Sequence, residues 1–209
     1  MHEFIRHIEV MKSSSERVRI RDVELLSDNW YILKKTTFDY RLRNGHWKTV
    51  SRETYDRGNG ATILLFNRSR DTVLLTRQFR FPAYVNGCPD GMLIEACAGL
   101  LDGDSAEAAI RREAQEELRV EVGTVTKVLE AYMSPGSVTE KLHFFAAEYE
   151  IPPGANAGNL DEGEDIEIVE MTLDDALAKV ESGEIQDGKT VVLLLWAKLK
   201  SCAGGRPDL

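Results

Sequence analysis

The sequence predicts an α/β fold of the α+β kind, in which a sheet lies between helical layers as an α/β/α sandwich, with an antiparallel sheet added at the N-terminal end. Residues 17–55 alternate between apolar and polar side chains in short segments, which is typical of strands. One helical segment, residues 105–118, interrupts later strand-like segments, and two more follow near the C-terminal end. Strands with one inserted helix and two closing helices pack as such layers.

The N-terminal sheet is expected to contain three strands. Residues 17–25, 30–42 and 47–55 show the alternation, and Asn44-Gly45 supplies a hairpin turn between the second and third segments. A glycine-rich joint follows at residues 57–60. We therefore expect a β-rich subdomain over residues 1–57 and a second domain over residues 58–209.

The second domain is expected to begin with a hairpin and to end with two helices. Its predicted strands lie at residues 61–66, 72–79, 92–96, 124–132, 141–150 and 165–171. A loop is predicted between the second and third of these because it contains Pro82, Gly87, Pro89 and Gly91. Thr172 with Asp175 indicates the start of a helix to about residue 181, and an apolar helix is expected at residues 189–200.

Composition and charge exclude several classes of protein. The 209 residues are 43% hydrophobic and 29% charged, as in a globular protein with one sizeable core. The longest apolar run, residues 191–197, is about a third of the ~20 residues that a membrane span needs, so no membrane partner is expected. A net charge of −9 disfavours a nucleic acid partner. Without a secretory signal or a paired-cysteine pattern, we expect a cytoplasmic protein.

The inserted helix carries the most informative pattern. Asp104, with Glu107 three residues later, matches a capping box that marks the helix start. Glu113, Glu116 and Glu117 then follow at i, i+3 and i+4, so they project from one face. A solvated acidic face is one interpretation. The other is a site for a hard divalent cation, because like charges at this spacing destabilise a helix unless a cation binds them.

Gly99, Asp104, Arg112 and the three glutamates together resemble the box motif of Nudix hydrolases, a loop–helix–loop that ends in Arg-Glu-x-x-Glu-Glu. Two departures stand out: the loop from Gly99 to Arg112 is one residue shorter than usual, and Arg119 replaces the usual glycine after the glutamate pair. Neither removes a metal ligand of the family. Because of Arg119, the sequence does not fix where the helix ends, since arginine is strained in the left-handed conformation that glycine accepts.

The resemblance extends over nearly the whole chain and is closest to the GDP-mannose hydrolase branch, beside the ADP-ribose pyrophosphatases. The stretches that resemble this branch are residues 26–29, 55–61, 77–80, 93–102, 132–136 and 187–190, and the shortened loop is similar as well. The fold implied is the Nudix α/β/α sandwich with an N-terminal β-sheet subdomain. The activity implied is Mg²⁺-dependent hydrolysis of a nucleoside-diphosphate sugar, first of all GDP-mannose to GMP and mannose 1-phosphate, with Mn²⁺ as a substitute metal.

The resemblance also implies a set of metal ligands and catalytic residues. The metal ligands would be the backbone carbonyl of Ala98 and the carboxylates of Glu113 and Glu117, with Glu116 completing the cluster. Arg112 would orient these carboxylates, although its spacing equally fits a surface pair with Glu116.

A second acidic run, residues 161–167, follows a long loop and has solvation as its ordinary interpretation. In the family, a glutamate of this loop reaches the metals and helps to position or deprotonate the attacking water. By position that residue is Glu164, and Glu162 and Asp165 are alternatives from the same run.

Substrate-binding positions are implied in both parts of the chain. They are Trp30, Arg52, Glu53, Arg80, Gly99, Leu100, Glu140 and Lys189. An aromatic ring stacks on a base, and arginine and lysine pair with phosphate oxygens. For Trp30 and Glu53, substrate binding is one interpretation, and a purely structural role in sheet packing or as a surface charge is an equal alternative.

Two other functions remain open alongside GDP-mannose hydrolysis. One is ADP-ribose pyrophosphatase activity, which uses the same catalytic groups and differs in the recognition of base and sugar. The other is a nucleotide-sugar-binding regulator without catalysis, which the intact glutamate cluster disfavours. The resemblance further implies a homodimer with exchanged N-terminal strands, and three strands alone would leave an apolar face and edges uncovered.

Overall fold

A computed structural model of the chain describes residues 16–150 and 165–202. The chain divides into two compact units, one within Met1–Arg57 and Ser134–Glu140, the other within Gly58–Met133 and Lys141–Leu209. The first unit therefore takes a short segment from the middle of the chain in addition to its N-terminal strands. That residues 1–57 act as a separate subdomain for dimerisation and substrate binding stays a prediction.

The first unit is the expected three-stranded antiparallel sheet. It contains β1 (Val18–Asp28), β2 (Ile32–Arg41) and β3 (Trp47–Asp56), in the order β1-β2-β3. The predicted hairpin turn is confirmed, since Gly45 has a positive φ of 86° and Asn44 Oδ1 accepts a hydrogen bond from the His46 amide. The segment Ser134–Glu140 lies beside β3, where the Tyr55 amide donates to the Ser137 carbonyl at 2.8 Å.

The two faces of this small sheet differ in polarity. On one face, Asp39 accepts hydrogen bonds from Arg21 Nε at 2.6 Å and Thr49 Oγ1 at 2.7 Å. Strand side chains alternate between faces, so Phe38 lies on the other one, in register with Ile20 and Val50. These three side chains are only half-buried.

The second unit contains a mixed sheet in the order β10-β5-β4-β9-β8, with β6 paired to β5 and β7 paired to β4. Its strands are β4 (Gly60–Asn67), β5 (Thr72–Phe79), β6 (Met92–Glu95), β7 (Ala98–Leu100), β8 (Val125–Tyr132), β9 (Lys141–Glu148) and β10 (Glu167–Thr172). Its helices are α1 (Phe81–Val85), α2 (Ala106–Leu118), α3 (Leu173–Ser182) and α4 (Gly188–Cys202). Only β4 and β9 are paired in parallel among the described strands.

The central strand β4 is buried along nearly its whole length because helices cover both faces of the sheet. Ile63 and Leu65 pack with Ile110 of α2 in one apolar cluster. Leu64 points the other way and packs in a second cluster with residues of α3 and α4, among them Leu193. The predicted α/β/α sandwich is confirmed, with α2 on one side of the sheet and α3 and α4 on the other.

Two local predictions were wrong, and one short strand was not predicted. Helix α2 is capped by Ser105, whose side chain accepts from the Ala108 amide, and not by Asp104. The predicted loop before β6 contains the helix α1, in which Pro82 occupies a first-turn position that needs no amide donor. The stretch after β6 contains the short strand β7, which periodicity cannot reveal in three residues.

Helix α2 ends at Leu118, and Arg119 is its C-terminal cap. Arg119 has a φ of 54° and takes the left-handed conformation itself. Its amide donates to the Gln115 carbonyl at 3.0 Å, and the amide of the buried Val120 donates to the Ala114 carbonyl at 3.1 Å. These bonds satisfy the last carbonyls of the helix in the way a glycine cap does, and the strain of a non-glycine residue is tolerated.

Candidate active site

The three glutamates of α2 are not equivalent. Glu117 is 7% exposed and the Glu113 side chain is 14% exposed, whereas the Glu116 side chain is 59% exposed. Glu113 and Glu117 stand one turn apart, so their carboxylates face the same side of the helix. The structure therefore brings a pair of carboxylates to the interior and leaves Glu116 towards solvent.

Gly99 makes room for the first of these carboxylates. It lies on β7, which pairs with β4 in a register that places Gly99 opposite Ala61. A β-carbon built on Gly99 would overlap the carboxyl carbon and the Cγ of Glu113. The φ of Gly99 is not positive, so glycine is needed here for close approach and not for backbone conformation.

Arg112 holds several acceptors at once. Its Nη1 donates to Glu113 Oε1 at 2.8 Å and to Glu116 Oε2 at 3.2 Å, and its Nη2 donates to the Leu100 carbonyl at 3.3 Å. Burial opposes the charge of Arg112, but the charge of Glu113 and the hydrogen bond with Glu116 outweigh it and raise the arginine pKa. Arg112 thus forms the surface pair with Glu116 and also ties α2 to β7, and its role in orienting metal-binding carboxylates stays a prediction.

Cys97 lies beneath the carboxylate pair. It is 1% exposed, and burial is the largest cause that raises the pKa of its thiol well above the ordinary value. The charge and hydrogen bond of Glu117 and the charge of Glu113 raise this pKa further. The folded protein therefore favours the protonated form of this thiol, and both carboxylates lie within electrostatic range of it. Sequence reasoning gave this cysteine no role, because a single cysteine without a spaced partner carries no signal.

Arg80 and Lys189, both expected at phosphates, meet at a residue that sequence reasoning missed. Glu95 is 2% exposed and accepts from Arg80 Nε at 2.7 Å, from Arg80 Nη2 at 3.0 Å and from Lys189 Nζ at 2.5 Å. Burial raises the pKa of Glu95, but its hydrogen bond with Arg80 and the charge of Lys189 bring it below the ordinary value. The signal that could have revealed Glu95 is a charged residue inside an apolar strand, which is buried only when it is paired.

Arg80 also lies within electrostatic range of α2. Burial opposes its charge, while the hydrogen bond and charge of Glu95, then the charges of Glu117 and Asp187, raise its pKa. The cation pair and the carboxylate pair are therefore neighbours in one region of the second unit.

Four of the expected substrate residues belong to the first unit. The Trp30 side chain is 83% exposed and its ring meets Tyr31 edge-on at 6.1 Å. Arg52 and Glu53 are exposed neighbours on β3, so their side chains lie on opposite faces of the sheet. Glu140 is mostly buried, with Arg57 Nε at 3.5 Å from its carboxylate.

The expected water-activating residue, Glu164, lies outside the described residues, as does its alternative Glu162. Asp165 is described and exposed. Within residues 16–150 and 165–202, no three His, Cys, Asp or Glu side chains converge closely enough to form a metal site by themselves. Ala98, the expected carbonyl ligand, is half-buried at the start of β7.

The sequence profile of the NUDIX domain matches residues 56–194, which include α2, Gly99 and Glu95. The chain belongs to the NUDIX family. It is a Nudix hydrolase, and enzymes of this family generally use a divalent metal. A second profile, the N-terminal domain of the GDP-mannose pyrophosphatase NudK, matches residues 17–55, which are the three strands of the first unit.

Relatives of this Nudix hydrolase match over most of their length. A GDP-mannose pyrophosphatase of Pectobacterium atrosepticum is 54% identical over 186 residues, which cover 89% of this chain and 96% of the relative. One of Citrobacter koseri is 55% identical over 180 residues, covering 86% and 94%. A crystal structure of an ADP compounds hydrolase shares the fold, with a TM-score of 0.68 at 20% identity, covering 92% of this chain and 98% of that one.

No helix in the described part of this Nudix hydrolase is long and apolar enough to cross a membrane.

Proposed function

We propose that this Nudix hydrolase cleaves the pyrophosphate of GDP-mannose to give GMP and mannose 1-phosphate. The observation that carries the proposal is the carboxylate pair Glu113 and Glu117 against Gly99. It occurs in a chain that is 54% identical to a GDP-mannose pyrophosphatase, with 89% of this chain and 96% of the relative covered. The match of the first unit to the NudK N-terminal profile supports the same substrate class.

The residues present fit a hard divalent cation. Two carboxylates and a backbone carbonyl are oxygen donors, and two mostly covered carboxylates one turn apart are stabilised by a bound cation. We assign Ala98, Glu113 and Glu117 as ligands, with Glu164 as a further ligand from outside the described residues, and Mg²⁺ with Mn²⁺ as a substitute. When bound, the metal neutralises charge on the pyrophosphate and increases the acidity of water.

The side chains around the carboxylate pair divide the remaining work. Arg112 fixes the Glu113 carboxylate through the 2.8 Å hydrogen bond and links it to the exposed Glu116. Arg80 and Lys189 bind phosphate oxygens, and the backbone of Gly99 and Leu100 lies along the substrate. Glu164 positions or deprotonates the attacking water, with Glu162 and Asp165 as alternatives that substitution would distinguish.

Recognition of the nucleotide is assigned to the first unit, through Trp30, Arg52, Glu53 and Glu140. We propose that the enzyme is a homodimer in which the N-terminal strands are exchanged between subunits. The apolar row Ile20, Phe38 and Val50 supports this, because it is half-buried within the described chain and gains cover from a partner. A cytoplasmic location belongs to the same proposal and agrees with three free cysteines.

The experiment is turnover of GDP-mannose, ADP-ribose and other nucleotide sugars by the purified protein with Mg²⁺, with chromatography of the products. GDP-mannose should show the highest kcat/KM and yield GMP with mannose 1-phosphate. Preference for ADP-ribose would contradict the substrate while leaving the enzyme class in place. Binding without turnover of any compound would favour a regulator instead.

A further inference from the structure

The carboxylate of Glu95 joins two cations that come from different parts of the fold. Arg80 follows β5 directly and contacts both carboxylate oxygens, at 2.7 and 3.0 Å. Lys189 lies in the first turn of α4 and contacts Oε2 at 2.5 Å. A bidentate arginine has a fixed orientation, so the position of its guanidinium is set by Glu95.

Stability alone does not account for this arrangement. Glu95 is 2% exposed, and burying a charge is costly unless it is paired and hydrogen-bonded. An apolar residue of similar size would usually pack at least as stably as a buried ion pair. The arrangement of Arg80, Glu95 and Lys189 therefore points to a role for Glu95 in holding the two cations in place.

A second set of contacts holds Lys189 and the start of α4 in place. Lys189 Nζ lies 3.0 Å from Asp187 Oδ1, and Asp187 Oδ2 accepts from the Thr190 amide at 3.0 Å. Thr190 Oγ1 in turn accepts from the amide of Ala96, the neighbour of Glu95, at 2.7 Å. The start of α4 is thus tied to the end of β6 twice, once through Glu95 and once through Ala96.

Arg80 is accessible to an anion, whereas the Lys189 side chain is 12% exposed and mostly covered. The Arg80 side chain is 40% exposed and lies within electrostatic range of Glu117. Without Glu95, this arginine would still be attracted to the Glu117 carboxylate.

We propose that Glu95 is a positioning residue: it fixes Arg80 and Lys189 at one spacing, as a single binding element for adjacent phosphate oxygens of the pyrophosphate. The inference rests on the proposed function in assigning both cations to the phosphates. Glu95 itself does not contact the substrate and acts through its two partners.

The test is calorimetric binding of inorganic pyrophosphate, at one fixed concentration of Mg²⁺, to the wild type and to Glu95→Gln. Removing a negative charge strengthens anion binding if Glu95 acts only through its field. If Glu95 instead positions the two cations, its replacement weakens pyrophosphate binding. We expect a Kd at least ~10-fold higher, because the two cations no longer share one acceptor. Unchanged or tighter binding would overturn the proposal.

A second variant keeps the charge. Glu95→Asp retains the carboxylate but shortens the side chain by one methylene, so it no longer reaches both cations. If Glu95 acts by positioning, pyrophosphate binding should weaken by roughly 5-fold in this variant. If Glu95 acts only through its charge, the affinity should not change. This variant decides the question if Glu95→Gln does not fold, and wild-type affinity in a folded Glu95→Asp protein would count against positioning.

Glu170 provides the matched control. It also pairs with an arginine, Arg70, at 2.8 Å, but it lies beside Thr72 at the opposite end of β5. Glu170→Gln and Glu170→Asp should lower thermal stability and leave the pyrophosphate Kd unchanged; a Kd that shifts as it does in the Glu95 variants would mean a general structural effect and refute positioning. Because pyrophosphate carries neither base nor sugar, failure to hydrolyse GDP-mannose would refute the proposed function without changing this result.

Discussion

The backbone of Gly99 approaches the side chain of Glu113 so closely that no β-carbon fits between them. This contact joins β7 to α2 and sets where the first carboxylate of the pair stands. It gives a direct way to move one proposed metal ligand without changing its chemistry.

Gly99→Ala should displace Glu113 and weaken metal binding, with kcat reduced by at least ~10-fold, because a misplaced ligand loses the geometry that catalysis needs. The measurement is kcat as a function of Mg²⁺ concentration, together with Mn²⁺ binding. Gly123→Ala is the matched control, since nothing lies within 4 Å of the added β-carbon and the φ of Gly123 is not positive. Wild-type metal dependence in Gly99→Ala would contradict the assignment of Glu113.

Arg119→Gly should stabilise the protein. Arg119 occupies the left-handed region at a φ of 54°. Relief of that strain outweighs the greater freedom of glycine in the unfolded chain, for a net gain of about 0.5 kcal/mol in the free energy of unfolding. Urea unfolding monitors the change, and kcat should not move. Gln115→Gly, an exposed site within the same helix, should instead lose about 1 kcal/mol. A destabilised Arg119→Gly would show that the arginine side chain contributes more than its backbone costs.

Tyr149 should make stability depend on pH in the alkaline range. Burial and the hydrogen bond to Glu170 raise the pKa of Tyr149 to about 12, although the hydrogen bond with Thr72 opposes the rise. A raised tyrosine pKa means that the folded state favours the protonated form. This contribution is complete below the unfolded value of 10.0 and is lost as pH rises towards 12.

The measurement is the free energy of unfolding of the wild type and of Tyr149→Phe between pH 8 and pH 12, where other titrations cancel in the difference. The advantage of the wild type should shrink above pH 10. A difference that stays constant across this range would show that the tyrosine hydroxyl titrates normally in the folded protein.

The exchanged dimer predicts complementation between two inactive proteins. Arg52→Ala damages the first unit and Glu117→Gln damages the second, so a heterodimer formed by joint refolding would carry one site with both defects and one with neither. Activity near half of the wild type per heterodimer is expected. If verified heterodimers stay inactive, or if a monomer is fully active, sites are not shared between subunits.

Much of the fold follows from short-range patterns in the sequence. The alternation in β1 to β3 and the Asn44-Gly45 turn are local features, and so is the Thr172 cap of α3, whose side chain accepts from the Asp175 amide. What failed was equally local: Asp104 and Ser105 are both good caps, and only the backbone path decides which of them caps the helix.

The candidate site was predictable where its residues share one helix. Glu113 and Glu117 are visible from spacing alone. Glu95 is not, because its partner Lys189 is 94 residues away and the two meet only through the pairing of sheet and helix. A charged residue in an apolar strand indicates a buried pair, but the strand alone does not identify the partners.

The most direct test of the central claim compares wild type, Glu117→Gln and Glu107→Gln on GDP-mannose at saturating Mg²⁺. Glu107 lies on the same helix and pairs at the surface with Arg111, so its variant controls for loss of a carboxylate from α2. We predict GMP and mannose 1-phosphate from the wild type and from Glu107→Gln, and kcat at least ~10²-fold lower for a folded Glu117→Gln. Near-wild-type turnover by Glu117→Gln, or no hydrolysis of GDP-mannose by the wild type, would contradict it.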